Sequence, residues 1–260
     1  MKDYFLELWH FRELYWAFTV REIKVRYKQT ILGTGWAILQ PLALTVIFTV
    51  VFGFLLSFGS GDIPYPIFAY SALLPWTFFS NAVTFGSLSV VNNSSLVTKI
   101  YFPRELLPLA TITAALFDFL IASVIFLIMF FFYKIQVTPN LVWLFLIIPC
   151  IFLLTTGISL ILSTLNVLFR DIKFIVPLVL QIWFYLTPII YSLNSIPDNY
   201  QRFYILNPMA PLIDSFRDTT VLGAEPDILP LVFGAIFSLV VFVFGIVFFK
   251  AKEKSFADVI

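Results

Sequence analysis

Residues 106–133 read LLPLATITAALFDFLIASVIFLIMFFFY, a run in which Asp118 is the sole charged side chain. At a rise of about 1.5 Å per residue, a helix needs roughly 20 apolar residues to cross the hydrocarbon core of a bilayer. This stretch is long enough to do so and too apolar to face water. Outward from it, similar runs recur. Residues 29–61, 63–98, 135–169, 174–197 and 228–249 carry no charge at all. Each can span once and is too short to span twice. The pattern predicts an all-α polytopic membrane protein with six transmembrane helices, at about 34–58, 65–90, 106–132, 141–168, 173–192 and 228–249. These make a single domain over 31–250, with a tail at 251–260.

Composition agrees with lipid as the main solvent. Of the 260 residues 60% are hydrophobic, 12% are charged and 32 are Phe, with a mean hydropathy of +0.97. A soluble domain carries about 25% charged residues, so this chain lacks the charge to cover a water-facing exterior. A soluble enzyme, a nucleic-acid binder and a disordered chain are excluded, and membrane lipids are the expected surroundings. Cys150 is the one cysteine, so no intramolecular disulfide is possible; a small apolar residue inside a helix is its plain reading. His10 is the one histidine, which leaves no zinc site of the Cys/His kind. The first residues lack an apolar core followed by a small-residue cleavage site, so no removable signal peptide is expected.

Charge sets the orientation. Six spans place both termini on one side, together with the links near 91–105 and 170–173. Those pieces hold thirteen Lys and Arg, against Lys134, Arg202 and Arg217 on the other side. Positive charge marks cytoplasmic loops, so both termini are expected in the cytoplasm. The outer link 193–227 contains an apolar piece, FYILNPMAPLI at 203–213, broken by Pro208 and Pro211. Eleven residues suit a re-entrant or interfacial segment better than a span. A pair of short helices dipping back from the outer face is expected, with a seventh span as the alternative.

Residues 1–30 differ in kind. At about 100° per residue, Trp16, Val20, Ile23 and Tyr27 form one stripe, with Arg21, Lys24 and Lys28 roughly opposite. Glu22 and Arg26 are spaced for an i,i+4 ion pair. Such a helix lies in the cytoplasmic interface with its aromatic stripe in the acyl boundary, as a passive anchor or as a moving part touched by a partner.

Catalytic chemistry is sparse. No Gly is followed by Lys, so the GxxxxGK[ST] phosphate loop is absent. One histidine cannot assemble a Ser/His/Asp set. Asp198, Asp214, Asp218, Glu225 and Asp227 could act as paired carboxylates on the outer face or simply solvate a loop. Asp118, alone in mid-span, marks either function or a structural helix contact. In QIWFYLTPIIYS at 181–192, Trp183 and Tyr185 flanked by Gln181 and Thr187 could present a ring face and polar rim to a sugar, or could pack in lipid or core.

Five segments in this order resemble the ABC-2 type permeases, in the branch that exports O-antigen, capsule and teichoic acid. They are TILGTGWAILQPL at 30–42, KIYFPRELLP at 99–108, NVLFRDI at 166–172, LTPIIY at 186–191 and LNPMAPLI at 206–213. The resemblance covers nearly the whole chain. It implies a homodimer paired with two copies of a separate ATPase chain that holds ATP and Mg, so that this chain binds no cofactor and has no catalytic residue. It implies that 92–102 is a coupling helix docking on the ATPase through Ser94, Ser95, Leu96, Lys99, Ile100 and Tyr101. Residues 1–30 become a gate-like helix, with Trp16, Arg21, Lys24 and Lys28 at lipid headgroups. The link 193–227 resembles the paired re-entrant helices, although its acids have no counterpart in the family pattern. Spans one and five of the two copies would line a channel at the dimer axis, with Gln181, Trp183, Tyr185 and Tyr191 as lining residues. The cargo implied is lipid-linked polysaccharide of the O-antigen type crossing the bacterial inner membrane. Teichoic acid or capsule is the alternative within the family, and a membrane enzyme acting on lipid-linked sugars is the alternative outside it.

Overall fold

The computed structural model describes residues 9–56, 63–193, 204 and 206–259, with backbone alone at 257 and 258. Expectations that fall on 1–8, on 57–58 of the first span, and on Asp198, Arg202 and most of the first half of the outer link lie outside the described residues. Among these residues the chain is helical, without strands. The helices are α1 (Arg12–Tyr27), α2 (Trp36–Phe48), α3 (Tyr65–Asn92), α4 (Ser94–Lys99), α5 (Leu106–Phe132), α6 (Leu144–Leu168), α7 (Ile172–Leu186), α8 (Met209–Arg217), α9 (Ile228–Glu253) and α10 (Phe256–Val259).

Among the described residues, four helical stretches are long and apolar enough to cross a membrane: Gly33–Leu55, Leu106–Phe132, Pro139–Leu168 and Ile228–Glu253. The first consists of a 3-10 turn, α2 and a π-helical turn at Thr49–Leu55. It starts at Gly33, whose φ of +53° lies in the left-handed region that glycine enters without steric penalty.

The two remaining expected spans differ from the expectation for separate reasons. α3 has the length but is rich in Ser, Thr and Asn, and most of its residues are buried in the bundle. Its neighbours are protein, not lipid. Its hydroxyls are satisfied on the preceding turn: Ser71 donates to the Phe68 carbonyl, Thr84 to Ser80, Ser87 to Thr84 and Ser89 to Gly86. A polar side chain that closes on its own backbone needs no outside partner. α7 corrects the expected span at 173–192. It ends at Leu186, where Thr187 adopts extended backbone (φ −102°, ψ 139°) ahead of Pro188. The proline ring disfavours a helical residue before it. Fifteen residues reach roughly 22 Å, short of the roughly 30 Å core.

Lipid tails are as apolar as Leu, so helices in a bilayer associate through close packing, not through escape from water. The α6–α9 seam shows how close that packing becomes. A Cβ added at Gly157 would stand 2.5 Å from the Val241 carbonyl oxygen, and one at Gly245 would stand 2.6 Å from the Gly157 carbonyl oxygen. Backbone meets backbone there, and only glycine fits. Across α3 and α6, a Cβ at Gly86 would meet Ser159 at 2.9 Å. α3, α5, α6 and α9 thereby form the packed centre, with Ile67, Leu73, Phe79, Ile112, Ile147 and Leu154 fully buried.

Candidate functional site

At the end of the bundle that holds α4 and the C-terminus, α3 stops at Asn93, whose side-chain amide donates to the Ser89 carbonyl (2.7 Å) and whose carbonyl oxygen accepts from Arg21 (2.7 Å). The expected coupling helix at 92–102 is shorter than expected, six residues from Ser94 to Lys99, because Ile100 is already extended (φ −130°, ψ 138°). Its buried residue is Val97. Val97 enters an apolar cluster drawn from every element around it: Phe18 of α1, Val90 of α3, Phe102, Leu106 of α5, Leu160 of α6, Phe249 of α9 and Phe256 of α10. The opposite side is open. Ser95, Lys99 and Ile100 are exposed and Tyr101 is 83% exposed, whereas Ser94 and Leu96 are half-buried. Thr98, also exposed, was not expected in this group.

An ionic clasp ties the segment to the C-terminal helix. Lys250 lies 2.6 Å from Glu105 and 3.1 Å from Glu253, while the Arg104 backbone N–H donates to Glu253 at 3.0 Å and its guanidinium donates to the Glu253 carbonyl. Burial pushes the Glu105 carboxyl up, against the pull of Lys250. Val97 and this clasp thus link residues 94–105 to α5 and α9.

α1 does not lie free. It packs along α5, with Tyr15 sharing a hydrogen bond with Thr113 and with Phe18 and Thr19 buried. The expected Glu22–Arg26 pair does not form. Glu22 takes Arg21 (2.9 Å) and Arg26 reaches Asp118 (2.6 Å). Arg26 also donates to the Thr111 carbonyl at 3.0 Å, and Tyr27 donates to the second Asp118 oxygen. A carboxylate held this way in mid-span is paid for by two donors from one helix, which accounts for Asp118 as the clamp between α1 and α5. Trp16 remains 58% exposed and Val20 exposed, Ile23 and Tyr27 are half-buried, and Arg21 is half-buried while Lys24 and Lys28 are exposed.

The expected channel residues divide. Gln181 and Tyr185 lie on the exposed face of α7, Tyr185 at 61%. Trp183 does not share that face. Its indole N–H donates to Asn207 (2.7 Å) and its ring meets Trp76 and Phe79 edge to face, because the i,i+4 stripe Val176, Leu180 and Phe184 that anchors α7 runs beside it. Tyr191 is half-buried and shares a hydrogen bond with Tyr204 (2.8 Å). α2 likewise exposes Trp36, Leu39, Val46 and Ile47, and it meets α7 through the Phe48–Phe184 ring pair at 5.9 Å.

At the far end, Arg217 is 1% exposed, a residue counted in the sequence only as one of three outer bases. It donates to the Pro188 and Ile189 carbonyls (2.9 and 3.1 Å), lies 3.9 Å from the Phe68 ring centroid and 3.6 Å from Asp214. Asp214 and Asp218 therefore serve an internal node; burial pushes both carboxyls up. Asp227 caps α9 by accepting from the Leu229 N–H. The signal in the sequence was the DSFRD spacing at 214–218, which surrounds the arginine with acids.

The model of the ABC-2 type transporter family matches residues 13–221. The chain belongs to this family. Among relatives of this ABC-2 permease, the O-antigen export system permease protein RfbA of Klebsiella pneumoniae is 33% identical over 210 residues, 79% of each chain. RfbA of Myxococcus xanthus is 30% identical over 255 residues, 97% of each chain. The polysialic acid transport protein KpsM of Escherichia coli is 26% identical over 245 residues, 92% of this chain and 93% of its own.

Proposed function

We propose that this ABC-2 permease is the membrane subunit of an ATP-driven exporter that moves lipid-linked polysaccharide of the O-antigen type across the bacterial inner membrane. A teichoic acid or capsule polymer is the alternative cargo. The names of the export relatives support a polysaccharide. ATP and Mg reside on a separate ATPase chain, and two permeases assemble with two ATPases. The observation that carries the proposal is α4. One side of a six-residue helix is locked through Val97 into a cluster shared by six other helices, while Lys99, Ile100 and Tyr101 stand free for a partner. Such a part takes up force at its outer side and delivers it to the bundle.

In this scheme the chain crosses six times, with α3 and α7 completing the spans inside the assembly and both termini cytoplasmic, as the thirteen-to-three distribution of Lys and Arg supports. α2 and α7 face the second copy and line the channel, with Gln181 and Tyr185 towards the polymer. Lys24 and Lys28 attract the anionic headgroup of the lipid carrier at the interface. ATPase closure pushes α4, α1 follows through Phe18, and the channel opens between the copies. Stacking on rings tolerates any sugar sequence, and weak successive contacts let a polymer slide where tight ones would stall it.

Co-purification from native membranes tests the proposal. A soluble ABC ATPase is expected in a one-to-one ratio, released by Lys99→Glu or Tyr101→Ala. Elution of the permease alone, without nucleotide dependence, contradicts it.

A further inference from the structure

Between the end of α1, the start of α2 and the middles of α3 and α5 lies a cavity of about 480 Å3, within the roughly 300–1,000 Å3 range of small-molecule pockets. Its walls differ from the rest of the bundle. Gln40 of α2 and Asn81 of α3 reach it with carboxamides that make no hydrogen bond to any described residue. Trp36, about half exposed, and Phe85 supply ring faces. Arg26 and Asp118 also line it, but they neutralise each other at 2.6 Å. The second Arg26 nitrogen is spent on Thr111 (3.0 Å) and the guanidinium stacks 4.4 Å from the Phe85 centroid. Glu22 is held by Arg21. The cavity thus offers unspent amides and ring faces, with every charge already paired.

That set of groups selects its ligand. Amides facing a bilayer interior without a partner are costly, so they call for a ligand rich in donors and acceptors. A phosphate would require a cation whose charge is not already matched, and Arg26, the cation among the lining residues, is paired with Asp118 at 2.6 Å. An aliphatic tail would leave both amides unmet. A pyranose fits: hydroxyls around its edge for Gln40 and Asn81, and a C–H face for the Trp36 indole.

We infer that this cavity is a binding site for a neutral sugar unit and, resting on the proposed export function, that it reads the sugar nearest the lipid carrier. Tyr27 and Val25 form a wall shared with a neighbouring groove lined by Arg21, Lys24 and Lys28. The headgroup is thereby divided, with its anionic part on the lysines and its first sugar in the cavity.

The test measures binding to the full-length permease in nanodiscs of two probes, a short polyprenyl diphosphate carrying one hexose and the same lipid without sugar. The hexosyl lipid is expected to bind about tenfold tighter, the scale of one or two net hydrogen bonds, and to quench Trp36 fluorescence, a signal absent in Trp36→Phe. Gln40→Leu and Asn81→Leu are expected to erase the preference. Equal binding of both lipids to the unaltered permease, or a preference that survives both substitutions, overturns the sugar site and leaves the export function standing; binding of neither lipid overturns the export function itself.

Discussion

The α6–α9 seam and α7 are built on opposite rules. Along the seam, Gly157 and Gly245 bring two backbones together so closely that no Cβ fits. α7 holds to the bundle by one stripe, with Val176 and Leu180 buried and Ile175, Leu178, Val179, Ile182, Tyr185 and Leu186 exposed. Both are apolar, and hydropathy does not tell them apart. The difference lies in what the apolar side chains meet: protein in the first case, an unfilled face in the second. An exporter needs both, a body that keeps its shape and panels that shift against it.

The largest expected effect breaks the first half of the comparison. Gly157→Leu removes the seam, and no folded protein is expected in detergent extracts by size-exclusion chromatography. Gly157→Ala exceeds the about 1–3 kcal/mol of ordinary overpacking, since the opposing atom is a carbonyl oxygen that cannot rotate away.

Next comes the clamp between α1 and α5. Arg26→Ala or Asp118→Ala leaves a partly buried charge alone and costs about 3–5 kcal/mol, whereas Arg26→Met combined with Asp118→Leu is near neutral. Thermal unfolding and transport assays of the three variants together separate a structural clamp from an ion relay, because a relay would lose transport in the double variant even where stability is kept.

On the panel, Tyr185→Ala and Gln181→Ala are expected to change stability by less than about 0.5 kcal/mol while transport of lipid-linked polymer falls several-fold. The same fall from Leu178→Ala would show that the face acts through bulk alone.

The smallest effect is a pH dependence at the outer node. Burial raises the Asp218 carboxyl, with Asp214 adding to it, so the folded state holds this proton more tightly than the unfolded one. Stability then falls as pH rises from the ordinary carboxylate range through the raised value. Asp218→Asn is expected to flatten that slope in thermal unfolding curves recorded across pH.

The comparison also explains what the sequence made legible. The run at 106–133 announced α5 with its ends correct, because length and apolarity alone decide a lipid-facing helix. α7 was read too long, since charge-free residues continue past Leu186 and Thr187–Pro188 ends the helix by backbone sterics. Asp118 was visible as an anomaly, but its partners were not: Arg26 looked spaced for Glu22, and only the approach of α1 to α5 decided between them. Trp183 and Tyr185 were indistinguishable two residues apart until the buried stripe fixed which turned inward. A short helix within 92–102 was legible through family resemblance, and the clasp of Glu105 with Lys250 and Glu253 was not, because Glu105 lies some 145 positions before Lys250.

The proposed dimer makes the exposed face of α7 an interface between copies, and cross-linking in native membranes tests this most directly. With Cys150 replaced by Ala, Tyr185→Cys is expected to give a disulfide-linked dimer whose yield changes when the ATPase partner binds ATP, while Leu154→Cys, buried in the centre, gives none. A Tyr185→Cys chain that stays monomeric under oxidation in both nucleotide states would contradict the division into a fixed body and moving panels.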